Sequence, residues 1–311
     1  MRVERAVDAL GYTASMFATI LDCNGRPLAL DRPRIAGILN LTDDSFSGDG
    51  LRADVDAAVA QGIAMVEQGA DLLDVGGEST RPGAGEVSVE DEIARVVPVI
   101  AALVRQVQVP ISIDTSKPEV MRAAVEAGAG LINDIFALRR EGALDAAAAL
   151  KVPVCLMHMQ GEPRTMQDDP RYDDVVGEVH RFLTDRLFAC QLAGIDKKNI
   201  LVDPGFGFGK ALEHNLALLR ALDRFAEVAP VMAGLSRKGM IGTLTGRKTP
   251  ADRAAGSAAA ALIAVQRGAA IVRVHDVAPT RDALAVWAAV AAGDGTPRKA
   301  AAKKASLWDE D

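Results

Sequence analysis

Short apolar runs alternate with longer segments of helical period along most of the chain. From residue 34 onward there are eight such runs, rich in β-branched residues, and each is followed by a predicted helix. This alternation is typical of βαβ units that build a parallel sheet. The near-continuous apolar character of the runs predicts strands that are covered on both faces. The predicted strands are residues 34–39, 71–75, 111–114, 131–134, 152–158, 200–203, 231–234 and 271–275.

Nearly every predicted strand ends with a polar residue. An open doubly wound sheet would fit the apolar runs equally well. In a closed barrel, however, the carboxyl ends of all strands meet at one mouth, where a binding site can form. The pattern therefore favours the α/β class and a single-domain (β/α)8 TIM barrel. The strand-end residues are Asn40, Asp74, Asp114, Asn133, Asp134, His158, Asp203, Ser236 and His275.

The barrel is predicted over residues 34–290, with a segment on either side of it. Residues 1–33 do not join the alternation and are interpreted as an N-terminal extension, with a hairpin across the barrel bottom as one interpretation. Residues 291–311 mix Gly, Pro, Lys and acidic residues, which is typical of a flexible tail. Capping patterns predict helix starts at Asp54, Ser88, Ser116 and Pro250 and helix ends at Gly69, Gly128, Gly194 and Gly268.

The composition narrows the class of protein. Of 311 residues, 49% are hydrophobic and 25% are charged, as in ordinary globular proteins. The 35 Lys and Arg against 42 Asp and Glu give a net charge of −7, which argues against a nucleic-acid partner. Cys23, Cys155 and Cys190 form no disulfide or zinc pattern, which favours a cytoplasmic location. No apolar segment has membrane-spanning length and none resembles a secretory signal, so no membrane partner is expected.

Three strand-end residues form a group of hydrogen-bond acceptors. Asp114, Asn133 and Asp203 end the third, fourth and sixth strands and would point into one cavity. Such a group suits a flat heterocycle that carries N–H donors. Two alternatives remain open from these residues alone, namely a metal site and a role of Asp114 as the cap of the following helix.

A second group of residues is cationic and predicts an anion site. The segment 236–239, with Ser236 and Lys238, follows the seventh strand at a predicted helix start. Arg273 and His275 are alternate residues of the eighth strand and face the same side. TIM barrels often hold phosphate near these two loops.

Three loops are candidates for contact with a ligand. The loop at residues 40–50 is interpreted as a mobile lid, with an ordinary βα connection as the alternative. The loop at 76–83 collects hydroxyl, guanidinium and backbone donors, with a tight turn as the alternative. The glycine-rich loop at 203–210 lacks the spacing of a nucleotide P-loop, and its phenylalanines either stack on a ring or pack beneath the loop.

The order and spacing of seven motifs resemble the dihydropteroate synthase family over about residues 34–290. The most specific are the stretch 78–83 and the pair formed by 236–238 and 273–275. The motifs are Ile38-Leu39-Asn40 with Asp44-Ser45-Phe46-Ser47, Gly76-Gly77-Glu78-Ser79-Thr80-Arg81-Pro82-Gly83, Ile113-Asp114-Thr115, Asn133-Asp134-Ile135, Asp203-Pro204-Gly205, Ser236-Arg237-Lys238 and Arg273-Val274-His275.

The resemblance implies a transferase reaction of folate synthesis in which p-aminobenzoate displaces pyrophosphate from 6-hydroxymethyl-7,8-dihydropterin diphosphate. It also implies a homodimer, Mg2+, small-molecule partners and membership of the enzyme class that sulfonamide drugs target. The implied pterin ligands are Asp114, Asn133, Asp203 and Lys238. The implied diphosphate ligands are Asn40, Arg273 and His275, and Asn40 is also the implied Mg2+ ligand. The implied catalytic residues are these three and Lys238. The implied p-aminobenzoate pocket contains Thr80, Arg81, Pro82, Phe208, Ser236 and Gly239.

Two positions depart from the family pattern. Asp43 stands where members usually carry Pro, and Gly239 stands where many carry a Ser that meets the p-aminobenzoate carboxylate. Two alternative functions are a pterin-binding barrel of the methyltransferase type and a non-catalytic paralogue. The first would have no reason to keep diphosphate ligands, and only the altered first loop favours the second.

Overall fold

The computed structural model describes residues 19–41, 51–79, 85–163 and 165–292, with residues 51–54 described through their backbone alone. Residues 42–50 of the predicted lid, including Asp43, lie outside the described residues. So do Thr80, Arg81 and Pro82 of the second loop, and residues 293–311 of the predicted tail.

A two-stranded hairpin precedes eight parallel strands that close into a barrel. The strands are β1 (Ile20–Cys23), β2 (Arg26–Ala29), β3 (Arg34–Asn40), β4 (Leu72–Gly76), β5 (Ile111–Asp114), β6 (Leu131–Asp134), β7 (Val154–Met157), β8 (Ile200–Asp203), β9 (Val231–Ala233) and β10 (Ala269–Val274). In the barrel, β3 to β9 follow one another in chain order and β10 closes the ring between β9 and β3. The predicted TIM barrel is confirmed, with strand ends that differ from the prediction by at most two residues.

Helices fill the connections and surround the barrel. They are α1 (Leu51–Gln68), α2 (Val89–Gln106), α3 (Pro118–Glu126), α4 (Ala143–Leu150), α5 (Val175–Leu192), α6 (Leu212–Arg220), α7 (Leu222–Phe225), α8 (Gly239–Thr245), α9 (Ala254–Gln266) and α10 (Val277–Ala292). Across the described ranges, none of these helices combines the length and the apolar character that a membrane crossing needs.

Most helix ends follow the local sequence. The Ser88 side chain accepts a 3.0 Å hydrogen bond from the N–H three residues later and caps α2. The four glycines predicted to end helices all have positive φ angles: Gly69, Gly128, Gly194 and Gly268. Two predicted starts are wrong, because α1 begins three residues before Asp54 and because the Ser116 hydroxyl donates instead to the buried Asp134 carboxylate. Pro250 begins a 3-10 turn that leads into α9.

Alternate residues of the barrel strands point inward and build the interior in layers. One layer, the apolar floor, takes one residue from each of the alternate strands β4, β6, β8 and β10: Leu72, Leu131, Leu201 and Ile271. Two residues further along the same strands lies the polar layer: Asp74, Asn133, Asp203 and Arg273. The barrel interior therefore changes from apolar to polar within one layer, towards the carboxyl ends of the strands.

The hairpin of β1 and β2 closes the opposite end of the barrel. Its Leu21, Cys23 and Leu28 are buried in the same cluster as the apolar floor. A guanidinium nitrogen of Arg26 donates to the carbonyl of Val107 at 2.7 Å, which ties the hairpin to the segment before β5. The hairpin thereby shields the floor beneath the polar layer from water.

We predict that Gly130→Ala destabilises the protein by loosening this hairpin. A Cβ at Gly130 would lie 2.2 Å from the carbonyl oxygen of Cys23, and backbone cannot rotate away as a side chain can. We expect the free energy of unfolding to fall by about 1–3 kcal/mol, as in overpacked interiors, measured by urea denaturation. Gly85→Ala is the control, since a Cβ there meets nothing within 4 Å. Equal stabilities of the two variants would contradict the contact.

Candidate active site

The polar layer and the loops above it form a bowl at the carboxyl end of the barrel. Asp114 and Asn133 are register partners on the adjacent strands β5 and β6. Asp203 ends β8 and is buried. Asn40 ends β3. It lies on the same face of this strand as Ala36, which is buried with the apolar floor, so Asn40 faces inward. The strand ends that the sequence predicted to converge therefore meet at one end of the barrel interior.

Arg273 is the central cation of the polar layer. Its Nε donates to Oδ2 of Asp74, and a terminal nitrogen donates to Oδ2 of Asp114 at 2.6 Å. Because β10 is not a neighbour of β4 or β5, this guanidinium crosses the barrel interior. Burial opposes its charge, but the two carboxylates outweigh burial and raise the pKa of Arg273 above its ordinary value. Arg273 therefore stays charged.

Hydrogen bonds to Arg273 and to Asp74 orient the acceptors of the polar layer. The side-chain nitrogen of Asn133 donates to Oδ2 of Asp74 at 3.1 Å, which leaves the Asn133 carbonyl oxygen to accept from a ligand. Burial raises the pKa of Asp114 to about 7, against the lowering effect of Arg273. The polar layer is thus rich in hydrogen-bond acceptors, and its cation, Arg273, is already paired.

Lys238 and Asp203 face each other on the other side of the bowl. The Lys238 ammonium donates to the carbonyl of Phe206 and lies 4.5 Å from the ring centre of Phe208. Asp203 accepts a 2.7 Å hydrogen bond from the N–H of Gly205, which fixes the loop after β8. Burial lowers the pKa of Lys238 to about 8, although the Asp203 charge raises it. Burial raises the pKa of Asp203, although the Lys238 charge lowers it.

The loops after β9 and β10 are joined at one corner of the bowl. The Ser236 hydroxyl oxygen accepts from the backbone N–H of His275 at 3.1 Å and lies 3.1 Å from its Nδ1. Arg237 donates twice to Asp276, at 2.5 and 2.9 Å. The cationic group predicted from the sequence is therefore assembled, with Arg237 engaged in fastening the two loops together.

An apolar wall completes the bowl beside the acceptors. Phe208 packs against a buried cluster made of Ile135, Phe136, Met157, Met159 and Met166. Aromatic and methionine side chains offer flat or adaptable surfaces to a planar ring. Phe208 thus packs on this cluster, and its contact with a ligand ring stays a prediction.

Two buried lysines that support the bowl were not predicted. The Lys117 ammonium pairs with Glu78 at 2.8 Å and with Glu92 at 2.5 Å. The Lys210 ammonium lies 2.9 Å from Nδ1 of His158. Burial, helped by Lys210, lowers the pKa of His158 to about 2, so this histidine is neutral and acts as a support of the loops.

Asp74 is the main residue of the site that the prediction missed. The sequence shows it among the polar strand residues but indicates no role for it. Asp74 lies in the middle of β4, where a carboxylate is unusual, two residues after Leu72. The same change from an aliphatic to a polar residue occurs in β6, β8 and β10. That repeat is the signal that could have found it.

The bowl combines hydrogen-bond acceptors of the polar layer with cations around them. Carboxylate and amide oxygens bind the N–H donors of a flat heterocycle, and Arg, Lys and His side chains bind an anion. Since the two groups are in contact at the same end of the barrel, the arrangement suits a ligand in which a planar ring is joined to an anionic group.

Comparison with known proteins agrees with this chemistry. Residues 36–275 match the family model described as pterin binding enzyme. The dihydropteroate synthase of Escherichia coli K12 is 51% identical over 267 residues, which are 86% of this chain and 94% of that protein. The chain belongs to the dihydropteroate synthase family.

Solved structures of the dihydropteroate synthase family share the fold. The Xanthomonas albilineans enzyme with 4-aminobenzoic acid is 61% identical and gives a TM-score of 0.84, over 88% of this chain and 98% of that chain. The enzyme of the same organism in complex with 7,8-dihydropteroate is 59% identical and gives a TM-score of 0.80, over 87% of this chain and 98% of that chain.

The family assignment confirms the predicted transferase class and the predicted dihydropteroate synthase function. Neither alternative, the methyltransferase-type barrel or the non-catalytic paralogue, finds support. The structure brings nine predicted site residues of this chain to the carboxyl end of the barrel: Asn40, Asp114, Asn133, Asp203, Phe208, Ser236, Lys238, Arg273 and His275. Gly239 begins α8 directly after Lys238.

We predict that Asp114 makes stability pH-dependent. Burial raises its pKa from 3.8 to about 7, so between these values the folded chain holds a proton that the unfolded chain has released. Relative to Asp114→Asn, the wild type therefore loses stability as the pH rises from about 4 to 7, by at most about 1.4 kcal/mol per pH unit.

Urea unfolding at several pH values across this window measures the difference. Asp169→Asn is the control, because that side chain is 65% exposed. The same pH slope for the wild type and Asp114→Asn would contradict the raised pKa.

Proposed function

We propose that the bowl joins p-aminobenzoate to 6-hydroxymethyl-7,8-dihydropterin diphosphate, releasing pyrophosphate and forming 7,8-dihydropteroate. The observation that carries this proposal is the closeness of the acceptors to the cations. A terminal nitrogen of Arg273 is 2.6 Å from Asp114, and His275 follows two residues later. A pterin ring and a diphosphate joined by one methylene need both kinds of group within one cavity.

The pterin ring is assigned to the acceptor side of the bowl. Asp114, Asn133 and Asp203 would accept hydrogen bonds from the ring N–H groups, and Lys238 would donate to a ring acceptor. These side chains are largely buried, so a ring that lacked a matching donor would leave a buried oxygen unpaired. This gives the site its selectivity for the pterin.

The diphosphate is assigned to Arg273, His275 and Asn40. The described residues contain no cluster of three His, Cys, Asp or Glu able to hold a metal ion by themselves. Mg2+ usually takes one or two protein oxygens and completes its shell with substrate phosphates and water. The side-chain oxygen of Asn40 at the inward end of β3 fits that donor set. When bound there, Mg2+ would neutralise charge on the diphosphate.

The reaction proposed here is dissociative. The bond between the methylene carbon and the diphosphate oxygen breaks, and its electron pair leaves with pyrophosphate. The electron-rich pterin shares the positive charge, the amine nitrogen of p-aminobenzoate forms the new bond, and the nitrogen then loses a proton. Arg273 and His275 stabilise the departing anion. An aniline needs little activation, so neither a covalent enzyme intermediate nor a strong general base is required.

The p-aminobenzoate is assigned to the outer part of the bowl. Phe208 offers its ring, on which Lys238 already lies, and Ser236 and Gly239 border the same side. Thr80, Arg81 and Pro82 are proposed to contribute from the second loop, which lies outside the described residues.

The chain is further proposed to act as a homodimer in the cytoplasm. Large apolar side chains are exposed on the neighbouring helices α9 and α10, including Ile263 and Val286 at 44% and 67% exposure, and such surfaces favour self-association. Cys23, Cys155 and Cys190 are free and buried, as is usual in a reducing compartment.

Pyrophosphate release by the purified protein tests the function. We expect release that requires p-aminobenzoate, the pterin diphosphate and Mg2+ together, with 7,8-dihydropteroate formed in equal amount. Asp203→Ala is the negative control, because the buried pterin donors then lose their acceptor. Release that is independent of p-aminobenzoate would refute the proposal.

We predict that His275→Ala slows turnover more than it weakens product binding. The product carries no diphosphate, so a residue that acts on the leaving group contributes mainly to the transition state. We expect kcat to fall by about tenfold to a hundredfold while the Kd of 7,8-dihydropteroate changes by less than about threefold.

His275 is a better probe of the leaving group than Arg273. Removal of Arg273 would also leave Asp74 and Asp114 without their cation and would disturb the pterin side. His180→Ala on α5, outside the bowl, is the control. If His275→Ala lowered product affinity and kcat by the same factor, its role at the diphosphate would be wrong.

A further inference from the structure

We propose that Asp74 is a positioning residue of this reaction: one oxygen of its carboxylate holds both Asn133 and Arg273, and so aligns the pterin acceptor with the diphosphate ligand. The inference rests on the proposed function, which assigns the ring to Asn133 and the diphosphate to Arg273. Asp74 touches neither substrate in this assignment and acts through its two neighbours.

Asp74 contacts two other residues of the polar layer, Asn133 and Arg273. Its side chain is fully buried, with 0% of its surface exposed. Its Oδ2 accepts from the side-chain nitrogen of Asn133 at 3.1 Å and from Nε of Arg273. Its Oδ1 meets no hydrogen-bond donor among the residues that the structure describes. Three strands of the barrel, β4, β6 and β10, are therefore joined at a single oxygen.

Packing alone does not account for a carboxylate at this position. Two residues earlier on the same strand, Leu72 fills the equivalent inward position of the apolar floor. Burying a carboxylate oxygen without a donor destabilises a fold, so a position needed for packing favours an aliphatic side chain. The carboxylate of Asp74 is explained by what it does to its two partners.

The first partner, Asn133, is set in one orientation. An asparagine amide can present either its oxygen or its NH2 group to a ligand. As a carboxylate, Asp74 can only accept hydrogen bonds, so it engages the NH2 group of Asn133. The Asn133 oxygen is then the group available to the pterin N–H donors. The opposite orientation would place the Asn133 oxygen against the Asp74 carboxylate and the Asn133 NH2 group against the pterin N–H groups.

The second partner, Arg273, is held at one end of its guanidinium. With Nε on Asp74, a terminal nitrogen reaches Asp114 on β5. The arginine side chain is long and flexible, and fixing Nε removes much of that freedom in advance. Asp74 therefore presents the remaining donors of Arg273 at a defined place between the ring and the diphosphate.

Asp74→Asn tests this role, since it keeps the size of the side chain and removes its charge. We expect kcat/KM for the pterin diphosphate to fall about tenfold or more, and the affinity for the alcohol 6-hydroxymethyl-7,8-dihydropterin, measured by calorimetry, to fall as well. The KM of p-aminobenzoate should change less than about twofold, because its pocket does not involve Asp74. A general loosening of the fold would alter all three values.

A mutant cycle decides whether Asp74 acts through its partners. In the background Asn133→Ala/Arg273→Ala, Asp74→Asn should lower kcat/KM by less than about twofold, because both groups on which it acts are gone. The same fold loss in both backgrounds would overturn the proposal.

Asp71→Asn is the matched control. Asp71 also binds two arginines, Arg32 at 2.5 Å and Arg34 at 3.1 Å, but at the other end of the barrel. This variant should leave kcat/KM within about twofold of the wild type.

Folding and function are separated by two further measurements. If Asp74→Asn does not fold, Asp74→Ser, which keeps an acceptor oxygen, replaces it in the cycle. If neither variant folds while Asp71→Asn does, Asp74 is a folding residue and the proposal is wrong. If the wild type releases no pyrophosphate, the proposed function fails, and binding of the pterin alcohol to Asp74→Asn still tests the alignment of the ring.

Discussion

The ion network of Arg273 with Asp74 and Asp114 is the contact on which the geometry of the site depends. It connects β10 with β4 and β5 through the interior, so it can form only in a closed barrel. Largely buried charges are tolerated only when they are paired, and breaking one pair leaves an uncompensated charge. The three side chains therefore hold one another in place, and the bowl has its geometry before a ligand binds, which electrostatic catalysis requires.

The apolar floor makes this network strong. Leu72, Leu131, Leu201 and Ile271 exclude water directly below the polar layer, and the hairpin of β1 and β2 covers them from outside. In such surroundings a charge interaction is several times stronger than in water. The same surroundings raise the pKa of Asp114 and lower that of Lys238. The hairpin at one end of the barrel thus contributes to the electrostatics at the other end.

The strands and the main site residues could be predicted because their signals are local. A buried strand shows as an apolar run, a helix end shows as a glycine such as Gly128, and strand-end residues such as Asp203 must converge once the barrel is inferred. Contacts between distant segments have no such signal. The sequence indicates no role for Asp74 because its partner Arg273 lies 199 residues away, and it predicts a cap at Ser116 because the competing partner, Asp134, belongs to the next strand.

Gly239 illustrates a departure from the family pattern that the fold does not impose. A Cβ at this position would meet nothing within 4 Å, and Gly239 is not among the glycines with positive φ angles. Backbone geometry and packing would therefore both accept the serine that many members of the family carry here. On the proposed assignment of p-aminobenzoate, the glycine removes a hydroxyl from that side of the bowl and leaves a backbone N–H as the donor at that residue.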